Sequence, residues 1–430
     1  MTTRISRRSL LGLAGAGVGA MALGACGSDD DSGSSGGKAT IDWWHISNTD
    51  PLLSVWANLA KDYMTAHPDV TIKITPLENE AFKAKLTTVT QSGKAPSLFS
   101  SWGGGVLRQQ VEAGLVKDIT NDISSWVSNI SAVPLKYYQV DGKQYALPFD
   151  NGMVGFWYNK ELFGKANISA PPKTWAEFLD DVRKLKAAGI TPIALAGKEK
   201  WPAHFYFSYL ALRVGGMNAL EEANAAKDFN RPAILQAGQH LKELVDLQPF
   251  QKGFLAATYP NPDGQAAAMG NGKAAMELMG QWGPETEAAF STDKKGQGEK
   301  IGFFPFPAVE GGAGKITDVF GGGNGFAVGA TAPAQTVDFL KFLLEADSQR
   351  KCAATNSIIP VAKGAEDALT DPNQKVVAQT VTDATGFQLY LDQAWAPAIG
   401  TQVNDSVAAL VAGKATPEQV ASAITDAAKR

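Results

Sequence analysis

Between Ala39 and Ser101 the apolar pattern alternates between strand and helix periods, and this constrains the fold more than any other feature of the chain. Residues 39–46 form a β-rich run. Asp50 and Pro51 then read as N-cap and first helical residue, and Leu52, Val55, Trp56, Leu59 and Tyr63 recur at helical spacing until His67-Pro68 stops the helix. Val70, Ile72 and Ile74 alternate with Thr71, Lys73 and Thr75, the pattern of a half-buried strand. A helix over about 81–91 and a short apolar strand over 97–101 follow. The order β-α-β-α-β predicts a mostly parallel sheet covered by helices.

A second α/β region begins after Gly142. Residues 154–158 and 190–195 read as strands. Between them, Thr174 and Glu177 have capping-box spacing ahead of Phe178, Val182 and Leu185, and Gly189 ends that helix. Asn230-Arg231-Pro232 opens another helix. Residues 274–279, 301–304 and 325–328 read as strands, and Thr416-Pro417-Glu418-Gln419 caps a C-terminal helix. No fixed-period repeat appears. At 430 residues the chain is long for one core, so two α/β lobes are the economical expectation.

The N-terminus predicts an address. Arg4, Arg7 and Arg8 precede an apolar run over 10–25 that is short for a membrane span of roughly 20 residues and suits a signal-peptide core. Ser6-Arg7-Arg8-Ser9-Leu10-Leu11 resembles a twin-arginine export signal, and Leu23-Gly24-Ala25-Cys26 resembles a bacterial lipobox with Cys26 as the lipidated residue. Residues 1–25 are therefore expected to be a lipoprotein signal peptide and 26–38 a flexible tether, rich in Gly, Ser and Asp. A retained apolar helix is the alternative. The expected location is the outer face of the cell membrane, lipid-anchored and reached by the twin-arginine route.

Composition excludes several function classes. A net charge of −4 with no clustered Lys and Arg argues against nucleic acid as a partner. Two cysteines rule out a disulfide framework, and the four histidines show no zinc-ligand spacing. No Gly-Lys dipeptide is followed by Ser or Thr, so no phosphate loop of that type is present. Gly270-Asn271-Gly272-Lys273-Ala274-Ala275 fits a dinucleotide fingerprint only in reversed helix-then-strand context. The one G-x-S-x-G match, Gly33 to Gly37, falls in the expected tether rather than between a strand and a helix, so it is no nucleophile elbow. Asp150, Asp318 and Asp392 leave a glycosidase open, because two of them could pair as its acid and base.

What remains is aromatic and polar residues near expected strand ends: Trp43, Trp44 and His45, then Ser101 and Trp102, then Gln281 and Trp282. In open α/β sheets ligands gather beyond the carboxyl ends of strands. An indole can cover the C–H face of a sugar ring while carboxylates and amides take its hydroxyls. Trp56, Trp126, Trp157 and Trp175 lie within regular patterns and read as packing. Strand alternation sends Trp43 and Trp44 to opposite faces. Phe320-Gly321-Gly322-Gly323-Asn324-Gly325 reads equally as a binding loop or a turn.

These segments resemble the family 1 extracellular solute-binding lipoproteins of carbohydrate ABC importers. The resemblance runs through Trp44-His45, His67-Pro68-Asp69-Val70, Ala95-Pro96-Ser97-Leu98 and Tyr145-Ala146-Leu147-Pro148-Phe149-Asp150. It continues through Trp157-Tyr158-Asn159-Lys160-Glu161-Leu162-Phe163, Thr174-Trp175, Gly272-Lys273-Ala274-Ala275-Met276 with Gly280 and Trp282, and the glycines from Gly321 to Gly325. It implies a two-lobed type II periplasmic-binding-protein-like fold, with ligand in a cleft between lobes joined by a multi-segment hinge. Lobe one would combine residues 39–149 and 305–346, and lobe two 150–304 and 347–430, with crossings near 148–151, 304–307 and 346–350.

The resemblance further implies a non-catalytic binding protein that delivers a di- or oligosaccharide to a permease. It needs no cofactor or metal, binds no nucleic acid and acts as a monomer. Carried over residue by residue, ligand contacts would come from Trp44, His45, Glu78, Lys83, Ser101 and Trp102 on one wall. The floor and second wall would come from Asp150, Trp201, His204, Gln281, Trp282, Asn324 and Trp395. The segment from Leu77 to Lys83 resembles that of xylo-oligosaccharide-binding proteins.

Overall fold

The computed structural model describes residues 38–430, so the expected signal peptide, most of the tether and Cys26 lie outside the described residues. The architecture is mixed α/β, with two separate sets of sheet and core.

The first set is a five-stranded sheet in the order Val70–Pro76, Ala39–His45, Leu98–Ser101, Gly325–Val328, Ala146–Pro148. Strand Ala39–His45 pairs parallel with both neighbours, as the β-α-β-α-β pattern predicts. Gly325–Val328 instead runs antiparallel to Leu98–Ser101 and to Ala146–Pro148, so the sheet is mixed rather than mostly parallel. Helix Leu52–Ala66 buries Leu52, Trp56, Leu59, Ala60 and Tyr63, one face at the spacing the sequence shows. It covers one side of the sheet, where Trp43 meets Trp56 edge-on at 5.6 Å and Phe149 stacks on Phe326 at 4.6 Å. Helices Asn79–Gln91 and Gly104–Glu112 cover the other side through Phe82, Leu86 and Leu107, against Phe99 and Ala327.

The second core surrounds helix Trp201–Gly215, which is buried on nearly every side. Against it lie two three-stranded sheets. One, in the order Ile301–Phe304, Gly155–Asn159, Met276–Met279, is wholly antiparallel. The other is Gly386–Leu389, Asp318–Gly322, Gly152–Met153. Helix Trp175–Ala187 starts in the expected capping box, with Thr174 and Glu177 exchanging hydrogen bonds. Residues 190–195 do not form the expected strand, and only Ile193 makes bridges. Main-chain bonds from 191–194 go to Pro249, Gln251, Ala275 and Met276, but Pro192 supplies no N–H and the Gln251 amide takes both Leu195 main-chain groups, so the pairing stays too short for a strand.

Two stretches of chain run side by side and antiparallel between the sheets. Pro148 pairs with Gly325 in the first sheet, and Gly152 and Met153 pair with Gly322 and Gly321 in the second set. Between those pairs the Phe149 N–H donates to the Asn324 carbonyl at 2.8 Å. The backbones approach so closely that a Cβ on Gly323 would lie 1.9 Å from the Asp150 carbonyl oxygen. A third stretch joins them where the Asn151 N–H donates to Ile359 at 3.0 Å. Phe306, Val309, Val319 and Phe320 pack in the second core, whereas Cys352, Ile358 and Val361 pack with Trp43 and Trp56 in the first. Among the described residues no helix is long and apolar enough to cross a membrane.

Candidate functional site

A cavity of about 180 Å³ sits where the paired stretches pass between the cores. Its floor is Asp150 and Asn324. Both Asp150 oxygens accept hydrogen bonds from the Gln281 amide, at 2.9 and 2.7 Å, and the Asn324 amide donates to one of them at 2.7 Å. These donors favour the carboxylate, but burial outweighs them and pushes the Asp150 carboxyl up to about 7.

Aromatic rings make the walls: Trp102 from the first side, and Trp201, Phe205, Tyr259, Trp282 and Tyr390 from the second. Trp282 is half-buried at the start of helix Gly283–Phe290 and meets Tyr390 edge-on at 6.5 Å. Its ring folds over Gly280, where a Cβ would come within 2.1 Å of it, so that glycine sets the indole's position. Trp201 packs edge-on against Tyr259 at 5.6 Å.

Polar groups ring this apolar box. Glu78 caps helix Asn79–Gln91 with one oxygen, accepting from the Glu80 and Ala81 N–H groups at 3.0 and 3.2 Å. Its other oxygen is buried without a protein partner. Lys83, one helical turn on, lies 3.2 Å from Glu80 and 4.0 Å from Asp392 on the opposite wall, and its ammonium stands 5.6 Å from the Trp102 ring centre. Asp392 is held in turn by Asn404 at 3.2 Å. Thr49 donates to Glu285 across the cavity at 3.3 Å, and burial pushes the Glu285 carboxyl up to about 8. Among the described residues no group of three or more His, Cys, Asp and Glu side chains is arranged to hold a metal ion.

Of the residues singled out from sequence, Glu78, Lys83, Trp102, Asp150, Trp201, Trp282 and Asn324 line this cavity. Ser101 lines an adjoining groove. Gln281 is fully buried behind Asp150 and positions it. Four others lie elsewhere. Trp44 lies half-buried on the opposite face of the sheet, packed on the Phe82 and Phe99 cluster with the Lys85 ammonium 4.1 Å from its ring centre, because strand alternation turned Trp43 toward Trp56. His45 is packed edge-on against Trp43 at 4.8 Å, and burial pushes its pKa down to about 4. His204 is buried inside the second core against Phe320, and Trp395 packs on Phe229 with its indole N–H donating to Glu221 at 3.1 Å. A position beside a strand or helix end is not a position on the cleft when the side chain points back into the core.

Asp318, one of the three aspartates left open as an acid–base pair, is tied to the Lys315 N–H and the Thr385 hydroxyl away from the cavity. Sequence reading missed Tyr390, Glu285 and Tyr259. Tyr390 follows strand Gly386–Leu389 and would have been found by the same strand-end rule. Tyr259 lies in an irregular connection and carries no such signal.

Comparisons with known proteins agree with this geometry. The family model described as bacterial extracellular solute-binding protein matches residues 47–350. The multiple sugar-binding protein of Streptococcus mutans serotype c is 26% identical over 406 residues, covering 90% of this chain and 89% of that protein. The diacetylchitobiose binding protein DasA of Streptomyces coelicolor is 26% identical over 404 residues, covering 91% and 90%. A structure from work on xylan utilisation by Caldanaerobius polysaccharolyticus superposes with a TM-score of 0.82 at 27% identity, covering 90% of this chain and 99% of that one. A chitin oligosaccharide binding protein also gives 0.82, at 25% identity, with 91% and 98% covered.

Proposed function

The chain belongs to the bacterial extracellular solute-binding proteins, and from that premise we propose that it captures a di- or oligosaccharide between two lobes and delivers it to the permease of an ABC importer. One observation carries this reading. Three indoles, Trp102, Trp201 and Trp282, and two tyrosines surround a floor of amide-held carboxylate, which suits apolar ring faces and a rim of hydroxyls. Glu78, Lys83, Trp102, Asp150, Trp201, Trp282 and Asn324 are the proposed contacts. Xylo- and chito-oligosaccharides are the first ligands to try, because the relatives' names concern diacetylchitobiose, chitin oligosaccharides and xylan.

The lobes we assign are residues 39–149 with about 325–361, and about 152–320 with 369–430. The packing of Phe306 and Val309 with the second core, and of Cys352 and Val361 with the first, supports boundaries later than 305 and 346. Closure of the lobes on ligand would exclude water and strengthen each polar contact. Export by the twin-arginine route and lipidation at Cys26 complete the proposal: a monomer tethered to the outer face of the membrane, with no nucleic acid partner and no catalytic step. Its support is the Arg7-Arg8 and Leu23 to Cys26 motifs.

Calorimetric titration with xylobiose, cellobiose, maltose, chitobiose and raffinose tests the reading. At least one should bind, and the bound sugar should be recovered intact. Sustained hydrolysis that follows the purified protein would move Asp150 and Asp392, both on the cavity, to an acid–base pair. Failure of every sugar to bind would remove the carbohydrate reading.

A further inference from the structure

The aromatic cavity does not end at Trp102. Glu78, Lys83, Trp102, Asp392 and Gln393 also line a second, outer groove of about 1020 Å³, more than five times the size of the inner one. One side of this groove comes from helices Asn79–Gln91 and Gly104–Glu112 and the end of strand Leu98–Ser101. The other comes from residues 198–200 and 392–405.

The groove's polar side chains are not all satisfied by the protein. The Gln110 side-chain carbonyl oxygen is buried without a hydrogen-bond partner, and so is the free oxygen of Glu78 at the junction. Buried polar atoms are nearly always paired, so these two orphans on one wall mark places where a partner belongs. A sugar chain supplies hydroxyls at that density. The opposite wall is tied to the inner site, because the Glu199 carboxylate in the groove accepts from the Tyr259 N–H at 2.8 Å.

Resting on the carbohydrate reading above, we infer that the ligand is longer than a disaccharide, with its terminal rings in the aromatic cavity and further rings running past Trp102 into the outer groove. Gln110 and Glu78 then accept hydrogen bonds from hydroxyls of the outer rings. Trp102 stands at the junction and can stack on the ring that passes between the two spaces.

The test is calorimetric titration of the processed protein with two length series, xylo-oligosaccharides and chito-oligosaccharides of two to five rings. In the series that binds, the tetramer should bind at least tenfold more tightly than the dimer. Gln110→Ala should weaken tetramer binding threefold or more, with dimer binding as the internal reference. Gln110 is half-buried on helix Gly104–Glu112, so its truncation leaves the fold standing and the test available. Dimer and tetramer affinities within twofold of each other would overturn the inference and leave the carbohydrate reading standing. A length gain that Gln110→Ala leaves intact would place the outer rings elsewhere and also overturn it. If no member of either series binds, the carbohydrate reading falls, and this inference with it.

Discussion

The two cores bury different things. Around Trp43 and Trp56 the first core is a cage of edge-to-face and stacked aromatics, and its buried titratable ring, His45, is held neutral by burial. The second core buries charge-bearing groups: Arg213 at 1% exposure, and Glu277 and Glu287 at 0% and 1%. Arg213 donates to the carbonyls of Phe306, Pro307, Lys315, Ile316 and Asp318, so one side chain anchors the loop that leads into strand Asp318–Gly322. Glu277 and Glu287 lie against each other, burial raises both, and the Glu277 charge raises Glu287 further, so the pair retains a proton near neutral pH. The first core rests on shape and apolar area. The second adds buried polar groups, a fully engaged guanidinium and a carboxyl pair, to its apolar packing.

The largest test of that difference is Arg213→Leu. It conserves apolar bulk but leaves the buried carbonyls of Phe306, Pro307 and Asp318 without this donor, and each such orphan costs on the order of 1–3 kcal/mol. Urea unfolding should show a loss above about 4 kcal/mol, or no folded protein. A loss under about 1 kcal/mol would mean the second core, like the first, depends only on apolar packing.

Trp56→Ala is the matching change in the first core. Truncation of a fully buried indole should cost about 3–5 kcal/mol. Sugar affinity of the folded fraction should stay within twofold, because Trp56 does not line the cavity. Trp282→Ala should behave the other way round. Loss of one stacking face should weaken binding by roughly 1–3 kcal/mol, by analogy with stacking on planar rings. That is about five- to 150-fold in Kd. Unchanged affinity with a large fall in Tm would make Trp282 part of the second core.

Smaller and sharper is the opposite response of the two cores to pH. His45 has a folded pKa near 4, below its usual value, so the unfolded chain binds the extra proton and stability is lost as pH falls from about 6.5 toward 4. Asp150 and Glu277 have folded values near 7 and Glu285 near 8, above the usual carboxylate range. For them the folded state holds the proton, so stability is lost as pH rises from about 4 through 8. Melting curves should show His45→Phe flattening the acid side alone and Glu287→Gln flattening the neutral side alone. The same slope change from both variants would sink the distinction.

The smallest expected effect is Trp44→Ala. Its half-buried ring carries a cation–π contact from the exposed Lys85, worth about 0.5–1 kcal/mol, and it lies off the cavity. Sugar affinity should not move. A tenfold loss would return Trp44 to the binding surface.

Local chemistry made much of this molecule legible in advance. The spacing of Leu52, Trp56, Leu59 and Tyr63, the Thr174–Glu177 box and the alternation from Val70 to Ile74 each depend on residues within a turn or two of one another. Motif order along the chain was enough for the family. Strand-end position was enough to propose Trp102 and Trp282, because the end of a strand is a local property with a fixed place in an α/β lobe.

Tertiary structure alone decided the rest. Gly325–Val328 enters the first sheet antiparallel beside a strand more than two hundred residues earlier, and no local period encodes a partner at that distance. It also decided which aromatic residues face the cleft. His45, His204 and Trp395 are the right types in plausible places, yet each has its ring inside a core, while Tyr259 reaches the cavity from an irregular loop. Whether a side chain binds or packs depends on which neighbours the fold brings against it, and those neighbours come from distant segments. The Asp150 floor shows the point. Its two amide donors, Gln281 and Asn324, lie 131 and 174 residues away in sequence and reach it only where the strands cross between the cores.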